Sequence, residues 1–231
     1  MDPQNGQYAY RLAVSYLSQQ PPQLKPALWW MARTVTLTPG EKEKTALRET
    51  LLQNTASYEG LYQVACAQSE VDAFLQRASS SPAMPSDWQV PTREDVQAVR
   101  QGLNVAQLME GLKAGGEQER MTWLASCGLE LPELETEVVQ VAQNEGNVIT
   151  LGVAVTQESS EAKKADMMVK VTAPPEAKNI KVGDFVLITG TLRAYQRDPE
   201  FQLVLDEGRI KPEDIPKTRG GRGGAGRGGS R

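Results

Sequence analysis

Histidine is absent from the chain, and cysteine occurs only as Cys66 and Cys127. Without imidazole the commonest general base and the commonest metal ligand are gone, which excludes histidine-based triads and histidine zinc sites. The two cysteines lie in separate helical segments and show neither the spacing of a metal knuckle nor a CxxC pair, so they read as two buried thiols or as one bridge. No stretch approaches the roughly 18 apolar residues of a membrane span. The segment from Met1 to Tyr10 lacks the basic start and apolar run of a secretory signal, so the bare chain reads as cytoplasmic. No metal and no cofactor are expected.

Acid is missing from the last fifteen residues, where Lys217, Arg219, Arg222, Arg227 and Arg231 are all basic. The formal charge of −4 therefore hides a more acidic body. Such a body repels phosphate backbones over about 8–10 Å at physiological salt, leaving the tail or a local patch as the source of any general affinity for nucleic acid.

What is present changes period along the chain. Apolar residues recur at helical spacing up to about Leu131, and strand alternation holds from Glu137 to Ile210. Two folding units follow. Between Gly6 and Pro39 the pattern fits two helices broken by Gln19-Gln20-Pro21-Pro22-Gln23, a helical hairpin. Leu47, Leu51 and Leu52 continue the pattern in Glu41 to Ser57, and Leu61, Val64, Ala65, Val71, Phe74 and Leu75 do so up to Ala78.

A Ser/Pro-rich connector, Ser79 to Pro91, carries Trp88, read as an anchor onto the helical core. Thr92 followed by Asp95 signals a helix start, with Val96, Val99 and Leu103 as its apolar stripe. Short helices are expected over Val105 to Lys113 and Glu117 to Cys127. Met121, Trp123, Leu124 and Cys127 read as packing residues there.

The second half reads as five strands: Val138 to Val141; Ile149 to Val155; Met167 to Val171; Asp184 to Leu192; and Phe201 to Leu205. Asn144 to Asn147 reads as a turn and Glu158 to Lys164 as a polar connection. Pro174-Pro175 argues against a long helix between strands three and four. Five strands in this order resemble an oligonucleotide/oligosaccharide-binding (OB) barrel, and Gly190 would permit the bend that closure needs. The core is expected to claim Phe185 and Phe201, which leaves Tyr195, between Arg193 and Arg197, as the stacking candidate for single-stranded nucleic acid. Arg219, Arg222 and Arg227 sit in an Arg/Gly stretch similar to RGG segments, expected to be disordered. Glu133, Glu135 and Glu137 lie close together, but charged clusters are usually solvated surface, and no enzyme is expected.

Leu12, Ala13 and Tyr16, followed by Ala27, Met31, Thr34 and the closing Leu37-Thr38-Pro39, resemble one tetratricopeptide repeat (TPR). The loop is about two residues longer than the repeat's, and Thr34 stands where alanine is usual. With the phrase Met121 to Glu130 and Val182-Gly183-Asp184 leading to Thr189-Gly190-Thr191-Leu192, the chain resembles a group of uncharacterised, acidobacterial-type TPR proteins. The resemblance implies repeats and a secretion signal upstream, a periplasmic or envelope location, and hence a more credible Cys66–Cys127 bridge. It carries over no binding residues.

The fold class expected is therefore α+β. TPR-like hairpins occupy 1–78, a connector with short helices 79–131, an OB-like barrel 137–215 and the tail 216–231. The function expected is non-catalytic binding of a protein or peptide, with Tyr8, Tyr16, Trp29 and Trp30 as candidate contacts. The alternative is RNA or single-stranded DNA binding by the barrel and tail.

Overall fold

The computed structural model describes residues 4–143, 147–172, 177, 179–211 and 215. The chain is α+β and divides between Leu129 and Glu130 into a helical unit and a barrel unit. The segment 79–131, expected as a separate connector, belongs to the helical unit up to Leu129. The first strand begins at Glu130 rather than at Glu137 or Val138.

In the helical unit, α1 (Gly6–Leu17) starts at Asn5, whose side chain accepts hydrogen bonds from the Gln7 and Tyr8 backbone at 2.9 and 3.1 Å. This satisfies donors that the first turn cannot pair internally. The face α1 buries carries Ala9 and Ala13, small enough to let α2 (Leu24–Leu37) pack close. Next come α3 (Glu41–Glu59), a 3-10 turn (Val64–Ala67) and α4 (Gln68–Ser80). Leu28, Trp29, Ala32 and Val35 of α2 join Leu51, Val71, Phe74 and Ala78 in the main core.

Trp88 enters that core as the sequence suggests. Its ring meets Trp29 and Phe74 edge-on, with centroids 5.1 and 4.6 Å apart. Such aromatic pairs add about 0.5–1.5 kcal/mol each beyond their burial.

The helix expected at Thr92 is α5 (Arg93–Gln101), where Thr92 and Asp95 form a reciprocal capping box. Asn104 and Gln107 do the same for α6 (Val105–Ala114), and α7 (Gly116–Ser126) follows. Val96, Leu124 and Ala125 form a second small core with Leu61, Val99 and Met121. Beside it Cys66 and Cys127 are joined in a disulfide, with Cα atoms 5.8 Å apart. The alternative of two buried thiols is thus set aside, although both residues are indeed buried. The bridge ties the 3-10 turn to the end of α7.

The barrel unit is a closed five-strand sheet in the order β1-β2-β3-β5-β4, with β1 (Glu130–Gln143), β2 (Val148–Ala154), β3 (Met167–Thr172), β4 (Phe185–Gln196) and β5 (Gln202–Ile210). All pairings are antiparallel except β3 with β5. β1 is long because its first half pairs with β4 and its second half with β2, with a register shift in each ladder. Leu151, Val153, Met167, Val169, Ile188, Leu192, Leu203 and Leu205 are among the inward side chains.

Gly190 lies where the β4–β5 register shifts, and a Cβ there would sit 3.2 Å from that of Leu205. Gly208 is tighter: a Cβ would fall 2.6 Å from Val169. Both glycines thus allow close strand approach.

The connection expected from Glu158 to Lys164 contains a short helix, α8 (Gln157–Ala162). Buried Asp166 fastens it. One carboxyl oxygen accepts from the Val155 and Thr156 backbone at 2.9 and 3.1 Å, and the other accepts from the Ser159 hydroxyl at 2.7 Å. The helix was not signalled by hydrophobic pattern because polar bonds hold it. The turn expected at 144–147 and the Pro174-Pro175 segment lie largely outside the described residues, as does the tail.

The disulfide closes a span of 61 residues, a loop whose entropy in the unfolded chain is worth about 4 kcal/mol in the chain-entropy account. Replacing both cysteines by alanine should lower the stability of the helical unit by that order in urea titration followed by tryptophan fluorescence. A loss under about 1 kcal/mol would contradict this account.

Candidate functional site

The helical unit has a cleft of about 470 Å³ where the start of α1, the end of α2 and the middle of α3 converge. Tyr10, Leu37, Pro39 and Leu47 supply its apolar parts, and Asn5, Gln7, Thr34 and Thr38 its polar ones; no lining residue is ionisable except the Tyr10 phenol. Tyr10 is 52% exposed, and Val14, one turn on, is 42% exposed. At i and i+4 they form a ridge on α1, away from the Ala9–Ala13 face. Thr34 is buried beside the cleft and donates its hydroxyl to the Trp30 carbonyl at 2.8 Å, which satisfies its polar group there.

The four helical candidates separate. Tyr8 and Trp30 are half-buried and meet edge-on with centroids 6.4 Å apart. Tyr16 is half-buried. Trp29 is corrected: at 0% exposure it is core, because Phe74 and Trp88 close over it, and it offers no contact surface. The residues missed were Tyr10 and Val14. Their signal was available, since they are large apolar residues off the alanine face of an otherwise polar outer surface.

On the barrel, Tyr195 is half-buried and its ring tilts toward Phe201, with centroids 6.5 Å apart, at the β4–β5 hairpin. Arg197 is exposed at the same end. Arg193 is engaged by Glu207 at 2.8 Å. Most other barrel cations are similarly committed: Lys163 to Glu137, Lys164 to Glu200, Lys170 to Asp206, Arg209 to Glu130 and Lys211 to Glu133. Arg209 and Lys211 reach across β4 to do so. Arg219, Arg222 and Arg227 lie outside the described residues.

Phe185 is a second correction. It is 63% exposed, and Leu187 shares its outward row. Phe185 to Ile188 is a continuous apolar run, so the pattern alone did not assign faces; register turns Val186 and Ile188 inward. Glu133, Glu135 and Glu137 alternate with inward residues along β1. Glu137 is buried, and the Lys163 ammonium, with the Ser160 hydroxyl, holds its carboxyl below the usual range.

Among the described residues no cluster of three acids or cysteines could hold a metal ion, and no helix is long and apolar enough to cross a membrane. Compared with protein-family models, curated proteins and solved structures, the chain matches none.

Buried Trp88 and exposed Phe185 should behave oppositely in calorimetry of the intact chain. Trp88→Ala, which uncovers Trp29, should destabilise the helical unit by about 3–5 kcal/mol. Phe185→Ser should leave barrel stability within about 0.5 kcal/mol, and a larger loss would show that Phe185 is packed after all.

Proposed function

We propose that the chain is a non-catalytic interaction protein whose helical unit holds a protein or peptide segment in the cleft between α1, α2 and α3. The observation that carries this reading is the cleft itself: concave, without acidic or basic lining, and edged by an exposed tyrosine. Aromatic anchors beside a neutral cavity suit peptide side chains and backbone, since little charge must be desolvated. The resemblance of α1 and α2 to a TPR hairpin supports the same reading. A buried disulfide is typical of oxidising compartments and supports an envelope location.

A random peptide library panned against the intact chain should yield binders that lose at least tenfold in affinity for Tyr10→Glu. Binders indifferent to that change would move the site elsewhere, and none above background would defeat the reading.

A second reading, single-stranded nucleic-acid binding, is favoured by the Tyr195–Phe201 pair. The strand order is compatible with an OB-like barrel, in which the β4–β5 loop is one of the binding loops. Stacking on such rings contributes about 1–3 kcal/mol per base. The committed cations weigh against a phosphate-tracking groove, so the tail would supply the charge.

Anisotropy with labelled single-stranded RNA and DNA should then show binding that falls steeply with salt and disappears when the chain ends at Pro216. Affinity that ignores salt, or that survives the truncation, would count against tail-assisted binding.

A further inference from the structure

Glu59, the last residue of α3, is 0% exposed, and neither of its carboxyl oxygens meets a hydrogen-bond donor. Its neighbour is Glu70, buried in the first turn of α4. Arg120 of α7 grips Glu70 with two nitrogens, Nε donating at 2.7 Å to one oxygen and Nη2 to the other. The remaining terminal nitrogen of Arg120 donates to Glu117 at 3.0 Å. One guanidinium therefore already serves two carboxylates, and a third negative charge at Glu59 would be buried without a counter-ion.

The other charged groups nearby do not supply one. On α5, Arg93 donates to the Ser57 carbonyl at 3.1 Å and Arg100 to that of Gly60 at 3.5 Å. Glu94 and Asp95 of α5 add negative charge around the adjoining Tyr58, whose phenol is pushed up, chiefly by burial. As a carboxylic acid, by contrast, Glu59 gains a donor hydrogen that Glu70 can accept.

We propose that Glu59 and Glu70 share one proton under Arg120, forming a clasp across α3, α4 and α7 that holds best in acid and weakens as the pH rises. Burial, then the charge of Glu70, pushes the Glu59 carboxyl up to about 9, whereas in the unfolded chain it lies near about 4.3. Between those values the folded unit binds one proton more than the unfolded one, so stability falls as pH climbs through the window. It levels off above it, and no change arises below the lower value. The direction is opposite to that of an ordinary ion-paired carboxylate such as Glu137.

All four tryptophans, Trp29, Trp30, Trp88 and Trp123, lie in the helical unit, so their fluorescence in the intact chain reports on it alone. Urea unfolding of the wild type and of Glu59→Gln, whose amide can still donate to Glu70, should be compared from pH 5 to 9.5. The wild-type folding equilibrium constant should fall relative to the variant's by up to tenfold per pH unit, then flatten. Parallel curves would overturn the proposal. A carboxyl carbon-13 NMR titration of the wild type needs no variant to fold: one glutamate should remain protonated beyond pH 7, and titration of every glutamate below pH 6 would equally overturn it.

Discussion

The helical unit depends on tying α7 back onto segments some fifty to sixty residues earlier. A contact between such distant segments must offset the entropy of closing the intervening chain before its packing gives any gain. Two links do this from opposite ends of α7: the Cys66–Cys127 bond at its close, and the Glu70–Arg120 pair within its first half. They differ in kind. The disulfide restricts the unfolded chain as well as the folded one, whereas the ion pair exists only after α4 and α7 have met and must offset its own desolvation. With both in place the small second core of Val96, Leu124 and Ala125 needs to supply little more. The seventh helix can accordingly begin with the polar run Gly-Glu-Gln-Glu-Arg.

Much of this architecture is legible in the amino-acid order, and the failures have physical causes. The change of period near Leu131 falls close to the real division because helix and strand spacing depend only on which side is buried. Trp88 announces itself as the one aromatic residue in a Ser/Pro-rich segment. The early start of β1 does not, because Glu130, Glu133 and Glu135 look like solvated linker. They are strand because their backbone pairs with β4, Glu130 opposite Thr191 and Glu135 opposite Leu187, a pairing between residues about fifty to sixty apart that no local pattern encodes; Arg209 and Lys211 then reach over β4 to face Glu130 and Glu133. Helix α8 escapes the apolar pattern for a different reason, since nearby Asp166 holds it through hydrogen bonds. Trp29 and Tyr10 show the limit most directly. Both are aromatic residues on adjacent helices, and only the arrival of Phe74 and Trp88 decides which one is covered.

The charge arrangement constrains function more than the charge total does. In the barrel unit Lys164, Lys170, Arg193 and Lys211 each meet a carboxylate at 2.6–3.2 Å. Exposed pairs of this kind contribute only about 0–1 kcal/mol each to stability. Their larger consequence is that the cations are already facing carboxylates, which weakens the field available to attract a phosphate backbone. Apolar groups remain outward instead: Phe185 and Leu187 on β4, and Tyr10 and Val14 on α1. Each lies on a regular element, so its direction is fixed by register or helical phase, and a partner would meet a surface already ordered.

This distribution separates the two binding readings on physical grounds. Affinity that comes from phosphate contact scales with the counterions released and collapses as salt rises; affinity from apolar burial around a neutral cleft is nearly indifferent to salt. The described residues supply apolar surface in both units, while a stretch with five basic residues and no acid lies in the sequence from Lys217 to Arg231. A nucleic-acid role would therefore divide its labour, with the tail supplying attraction and the Tyr195–Phe201 pair supplying stacking. A peptide-binding role needs no such division, because the cleft lined by Tyr10, Leu37 and Leu47 provides both shape and apolar surface. That economy is why the interaction reading takes precedence.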